Sequence, residues 1–238
     1  MYGDWTVVGA ILGGLTGNAL RRPIFALSVA PGEPDRHGCP RCGAAPMAGL
    51  PDWRGRCRSC RHQVGPRWGS VELLSALLSG GIALAFGISF QTVGFTIMAV
   101  VGVALGIIDL HSFRLPTRLI AISTSLLLAS LLADAATSGA WMHLRSGALG
   151  AAGLSAAFLL LAVIRPGQLG LGDVQLAVPL GLLLGWFGWP FVVFGGCLAF
   201  VLSAATILVL LAMGKLTLRS SVPFGPFMLA GTVVALLL

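Results

Sequence analysis

Asp109 and Asp173 are the residues of this chain whose type and placement most demand a chemical explanation. Each stands at the edge of a long apolar run. Asp109 closes the run Phe95–Ile108, while Asp173 ends Gly170-Leu171-Gly172-Asp173 and opens the run from Val174. Only 8 of 238 residues are acidic, and a carboxylate at a membrane border is costly enough to point to function. Two carboxylates brought together cannot both ionise easily. One keeps a proton and acts as acid while the other deprotonates water. That is chemistry for peptide hydrolysis without a covalent intermediate. Gly170 and Gly172 would let a substrate backbone approach Asp173 closely, and would permit non-helical backbone beside a wet cavity. The chain has no GxSxG, no HExxH and no histidine pair spaced for one helical face, so serine and zinc-protease chemistries lack their residues. Each aspartate also has a plain alternative: Asp173 as a helix N-cap, and Asp109 as a snorkelling interface residue paired with Arg114.

A second constellation is Cys39-Pro40-Arg41-Cys42, followed after fourteen residues by Cys57-Arg58-Ser59-Cys60. Two CxxC pairs at this spacing suit tetrahedral Zn²⁺, each pair forming one knuckle with thiolate bonds of about 2.3 Å. Four cysteines leave no open coordination position, so the expected ion is structural. The surrounding arginines favour thiolates. His37 and His62 flank the pairs as alternative ligands, and Cys197 reads as an ordinary core residue.

The elements that must position these residues are helices in a membrane. Hydrophobic residues make up 56% of the chain and charged ones 10%, and the mean hydropathy is +0.93. That is far more apolar surface than a soluble domain of this length buries. A span needs roughly 20 apolar residues. Eight candidates occur, at about 5–20, 70–88, 90–108, 117–133, 146–164, 174–189, 191–213 and 222–238. The runs are continuous rather than alternating, which favours helices over a barrel. The expected fold is therefore an all-α polytopic membrane protein of about eight transmembrane helices. Residues 1–30 form the first span and the start of a cytoplasmic loop, 31–69 the zinc-binding loop, and 70–238 the membrane core.

Charge sets the expected orientation. Nine of the 15 basic residues fall in 21–69: Arg21, Arg22, Arg36, Arg41, Arg54, Arg56, Arg58, Arg61 and Arg67. Threading eight spans places Arg114, Arg118, Arg165, Lys215 and Arg219 on the same side, and only Arg145 opposite. The positive-inside rule makes that side cytoplasmic and the N-terminus external. Asp109 and Asp173 then share the cytoplasmic ends of spans 3 and 6, whereas Asp134 falls in an outer loop. The net charge of +7 reads as topology and contact with anionic lipid. No other feature points to nucleic acid.

Five ordered elements resemble the type IV prepilin peptidases, membrane aspartyl proteases of the GxGD kind. These are Gly14-Leu15-Thr16-Gly17-Asn18-Ala19-Leu20-Arg21; the two CxxC pairs with Gly55-Arg56-Cys57; Pro66-Arg67-Trp68 with Val71-Glu72-Leu73-Leu74; Ile108-Asp109-Leu110 with Leu115-Pro116, and Gly170-Leu171-Gly172-Asp173; and Pro223-Phe224-Gly225-Pro226-Phe227. The resemblance runs over nearly the whole chain. It implies removal of the short basic leader from type IV prepilins or pseudopilins at the cytoplasmic face of a bacterial inner membrane, with Asp109 and Asp173 catalytic. Many members also N-methylate the new N-terminus, which makes S-adenosylmethionine a candidate cofactor.

The chain departs from the family pattern at three places. The family often has about twenty residues between its cysteine pairs, including an Asn-Ile-Pro stretch that is missing here; Pro51-Asp52-Trp53 is a faint echo. After Leu-Pro the family commonly has Asp, where this chain has Thr117. Two residues past GxGD it usually has Lys, where this chain has Gln175. Two other functions compete with the protease. A proton-coupled transporter would use the same aspartates as a relay but needs polar residues deeper in the bundle. A non-catalytic scaffold would use the zinc loop to bind a partner, leaving the aspartates without a joint role.

Overall fold

Apolar runs broken by Gly, Pro and short polar stretches become helices wherever the backbone must satisfy its own hydrogen bonds. A computed structural model describes residues 2–29, 35–44, 56–57, 59–62, 65–66, 69–165, 169–215, 217 and 222–238. Pro51-Asp52-Trp53, Arg54, Arg58, Arg67, Trp68 and Arg219 lie outside them. Every regular element among the described residues is an α-helix: α1 (Tyr2–Ala19), α2 (Arg21–Leu27), α3 (Ser70–Phe86), α4 (Phe90–Ser112), α5 (Thr117–Ser138), α6 (Trp141–Ile164), α7 (Leu171–Phe187), α8 (Trp189–Ala212) and α9 (Gly225–Leu237).

Each of the eight expected spans falls on one of these helices. The extra one, α2, is a seven-residue helix with Pro23 in its first turn, where a missing N–H costs nothing. Boundaries differ most around α5, α6 and α7. Helix α5 runs on to Gly139, whose left-handed backbone (φ 77°) ends it. Asp134, expected in an outer loop, is therefore a buried residue near the end of α5. Four helices, α4, α5, α6 and α8, have the length and hydropathy of a membrane span; α3, α7 and α9 are apolar but shorter. The eight-span expectation is thus met at full length by four helices among the described residues. Outward faces are apolar as well: α8 exposes Val193, Phe194, Val201, Leu208 and Val209. Surfaces of this extent need lipid rather than water around them, as in a multi-pass membrane protein.

The chain divides into two compact units, Met1–Arg114 and Leu115–Leu238. In the first, α1 lies against α3 through small residues: Gly9 sits on Ala83, Gly13 on Ser79 and Gly17 on Ser75. Spacing of four residues puts all three glycines on one helical face and brings the backbones close, the usual solution for helix contact in lipid. Helix α4 completes this unit, with Phe86 and Phe95 meeting edge to face at 5.4 Å. In the second unit α6 and α7 form the tightest contact. A Cβ on Gly150 would lie 2.5 Å from the Gly181 carbonyl oxygen, and one on Gly181 2.5 Å from that of Gly150. Phe224, from the Pro-Phe-Gly-Pro element, stacks on Phe200 at 4.9 Å and Phe158 at 5.9 Å; its ring packs the unit.

Candidate active site and metal centre

Asp173 takes its setting from the first turn of α7. Gly170 is the N-cap, with extended backbone (φ −78°, ψ 148°), so Leu171, Gly172 and Asp173 are the first three helical residues. Asp173 is therefore not itself the N-cap. From the third position its Oδ2 accepts the Gly170 N–H at 3.0 Å, and its own N–H donates to the Gly170 carbonyl at 3.0 Å. This is half of a capping box, and the positive end of the helix dipole favours the carboxylate there. A cap works equally well in the open, yet Asp173 is only 8% exposed. Burying a carboxylate is costly, so capping alone does not account for its position.

The glycines around it differ. A Cβ on Gly172 would lie 2.9 Å from the Leu115 Cβ, whereas one on Gly170 would lie 3.4 Å from Asp173 Oδ2. Gly172 is thus bare because Leu115 occupies its side-chain direction. One turn on, Gln175 Oε1 accepts the Thr117 hydroxyl at 2.8 Å. The two residues that depart from the family pattern are hydrogen-bonded to each other.

Asp109 lies in the last turn of α4. Its carbonyl accepts the N–H of Phe113 at 2.9 Å, and Phe113 closes the helix in a left-handed conformation (φ 51°). A carboxylate at a helix C-terminus opposes the dipole, and Asp109 is only 5% exposed. A snorkelling interface residue would reach into water instead. The first unit therefore has a buried aspartate, Asp109, in the last turn of a helix, and the second has two near helix ends, Asp173 in the first turn of α7 and Asp134 toward the end of α5. Asp134 lies 17 residues along α5 from Thr117, roughly 26 Å at 1.5 Å per residue, and so stands apart from Asp173 within its own unit.

The four cysteines converge. All four Sγ atoms lie within 4.8 Å of one another, with Cys39 and Cys60 at 3.5 Å and Cys42 and Cys57 at 3.7 Å. A tetrahedron of thiolate–zinc bonds of about 2.3 Å has edges of about 3.8 Å, so the set fits a metal ion of that size. Local sequence explains the convergence, because the two CxxC segments fold alike. Gly43 N–H bonds the Cys39 carbonyl at 2.9 Å, and Arg61 N–H bonds that of Cys57 at 2.8 Å. Cys39 N–H in turn reaches Ala44, and Cys57 N–H reaches His62. The residue after each second cysteine is left-handed, Gly43 at φ 69° and Arg61 at φ 56°.

These turns aim backbone N–H groups at the first sulfur of each pair. Hydrogen bonds from the Arg41 backbone, then that of Cys42, hold the Cys39 thiol down at about 6. Those of Cys60 and Ser59 lower Cys57. For Cys42 the Ala44 backbone bond acts downward, but Cys60, burial, Cys39 and Cys57 oppose it and push the thiol up to about 12. Several thiolates this close need a cation among them. His37 and His62 lie outside the cluster. Phe25 of α2 packs against Cys39 and Cys57, and the Arg36 guanidinium covers its ring at 5.6 Å. Cys197, expected in a core, is exposed on α8.

One structural contact went unanticipated. The Arg21 guanidinium meets Glu72 Oε1 at 3.0 Å and donates to the Pro66 carbonyl at 3.0 Å. Glu72 Oε2 accepts the Gly69 N–H at 2.9 Å. This pair, 7% and 15% exposed, ties the exit and re-entry of the cysteine loop together. The sequence signal was two opposite charges at the near ends of successive spans.

The type IV leader peptidase family model matches residues 95–208, which include both aspartates and exclude the cysteine loop. A "Prepilin leader peptidase/N-methyltransferase" of Burkholderia pseudomallei is 33% identical over 213 residues, covering 84% of this chain and 66% of that protein. The chain therefore spans just under two thirds of that relative. A protein of the same description from Bacillus subtilis is 30% identical over 243 residues, covering 97% of this chain and 92% of its own length. Another from Pseudomonas aeruginosa is 28% identical over 211 residues, covering 84% and 70%. No solved structure matches the chain.

Proposed function

The chain belongs to the type IV leader peptidase family, and from that premise we propose an aspartic endopeptidase that removes the leader from type IV prepilins or pseudopilins. The observation that carries this reading is the burial of Asp109 and Asp173 at helix ends, 5% and 8% exposed, where neither is explained by helix capping or surface solvation. The two act as one dyad. One carboxylate takes a proton from water as it attacks the scissile carbonyl, and the other gives a proton to the departing amine. The bare Cα of Gly170 admits the substrate main chain beside Asp173, and Gly172 contributes through its backbone.

Fourteen of fifteen basic residues fall on one side of the expected threading. That side is cytoplasmic in this reading, in the inner membrane of a bacterium, with the N-terminus outside. The apolar first helix of the substrate docks laterally from the lipid, and its leader remains on the cytoplasmic side. Residues 1–30 and 70–238 supply the membrane part, and 31–69 the loop. Cys39, Cys42, Cys57 and Cys60 would hold structural Zn²⁺, which on binding fixes the loop through four thiolates. N-methylation of the product with S-adenosylmethionine is the second activity proposed, since its relatives carry that name.

The test is leader removal from a prepilin substrate in membranes, read by mass spectrometry. Wild type cleaves, while Asp109→Asn and Asp173→Asn insert normally and do not. A further 14 Da on the product in the presence of S-adenosylmethionine marks methylation. Cleavage at the wild-type rate by either variant overturns the dyad. The transporter and scaffold readings gain no support from the relatives.

A further inference from the structure

The first turn of α7 is where a helix is least able to hold itself. At its start the Asp173 N–H makes a tight three-residue bond to the Gly170 carbonyl at 3.0 Å, and the Val174 N–H a long one to the same oxygen at 3.5 Å, so regular four-residue bonding is only beginning there. Pro179, buried within α7, has no N–H to give the Gln175 carbonyl four residues earlier. The segment that carries Asp173 is thus weakly restrained from both sides by its own backbone. Two side-chain contacts, one from the start of α5 and one from the residue before its cap, make up for this. Leu115 fills the space over Gly172, and Thr117 donates its hydroxyl to Gln175 at 2.8 Å. Positions 172 and 175 are three apart and share one helical face. Asp173 is turned about 100° from the first and about 200° from the second, so the docked face is not the face of the carboxylate. The platform on α5 is stiff. Pro116 is its N-cap at φ −66°, and proline also restricts Leu115 before it.

We propose that Thr117 and Gln175, with Leu115 on Gly172, form a clasp that sets the orientation of Asp173. They act on Asp173 through the backbone of α7 and are positioning residues. The inference rests on the dyad reading above. It also gives the two departures one setting: at the positions where the resemblance leads one to expect Asp and Lys, this chain has an uncharged hydrogen bond. A hydroxyl can both donate and accept, so the bond forms with either end of the amide. It carries no charge for salt to screen.

The experiment takes the whole chain in membranes with five variants. Thr117→Val and Gln175→Leu each remove one partner, and the combination removes both. Each single variant lowers kcat by about 2- to 10-fold, as loss of one hydrogen bond implies, with KM unchanged. The double variant is no worse than either single one. Thr117→Ser keeps the hydroxyl and recovers the loss. Thr117→Asp with Gln175→Lys also recovers it, but its rate then falls as salt is raised, which the wild-type rate does not. Hydrogen exchange over residues 169–178 is followed in parallel and speeds up in the Val and Leu variants. Additive losses, a change confined to KM, or unchanged exchange overturn the clasp. If wild type cleaves nothing while exchange responds as described, the dyad reading fails and the clasp stands as a structural feature.

Discussion

Breaking the Arg21–Glu72 pair tests whether the cysteine loop is anchored as the structure implies. Arg21 is 7% exposed and Glu72 15%, so bulk water reaches both charges poorly. Arg21→Met keeps much of the side-chain volume but removes the guanidinium. That orphans Glu72 Oε1 and the Pro66 carbonyl at once. Removing one partner of a buried pair costs roughly 3–5 kcal/mol, mostly because the remaining charge stays buried. The Gly69 N–H bond to Glu72 Oε2 survives and keeps the start of α3 capped, so the loss falls on the loop root. At about 1.4 kcal/mol per decade, amides of residues 65–75 should exchange about 100- to 3,000-fold faster if they open by this local route. Glu72→Gln should be milder, since its amide still accepts from Arg21 without a charge. The combination Arg21→Met with Glu72→Gln should be less damaging than the sum of the two, by about 1–3 kcal/mol. Hydrogen exchange with mass spectrometry on purified protein in lipid nanodiscs reads all three. A change below about fivefold in Arg21→Met, or simple additivity in the pair, would refute the argument that this is a buried, mutually dependent contact.

Other parts of the structure give equally direct expectations. Gly150→Val places a branched side chain where a Cβ alone would stand 2.5 Å from the Gly181 carbonyl. Backbone cannot yield as a side chain can, so we expect a loss of about 1–3 kcal/mol or more, seen as a lower thermal midpoint in detergent; Gly81→Ala, in open space on α3, should cost less than half as much. One equivalent of zinc should copurify with the chain and be lost in Cys39→Ser, as metal analysis would report. Protons compete with metal for thiolates, so acidification should release the zinc and raising the pH should restore it; retention by a four-serine variant would exclude the site. Phe25→Ala should leave the metal bound while exposing the loop to protease, because Phe25 packs on Cys39 and Cys57 rather than ligating anything.

Local chemistry made much of this protein legible from its residues. The CxxC spacing specified two knuckles, because the hydrogen bonds that shape each one run between residues no more than five apart. The apolar runs specified helices, since a chain in lipid must pair its N–H and C=O groups within each segment. Helix ends were less legible. Leu171-Gly172-Asp173 joins α7 because Gly170 caps it and Asp173 closes back on that cap, a competition between turn and helix that the motif alone leaves open. Helix α2 was missed because seven residues are too few to show a period.

What only the tertiary structure decided is which distant groups meet. Arg21 and Glu72 are 51 residues apart, and Thr117 and Gln175 are 58 apart. No periodicity selects such partners. They follow from how closely neighbouring helices approach, which the glycines of α1, α6 and α7 permit. Burial was decided there too. The sequence placed aspartates at span edges, but whether each faces water or protein depends on the packing of the surrounding helices, and here packing leaves both Asp109 and Asp173 enclosed.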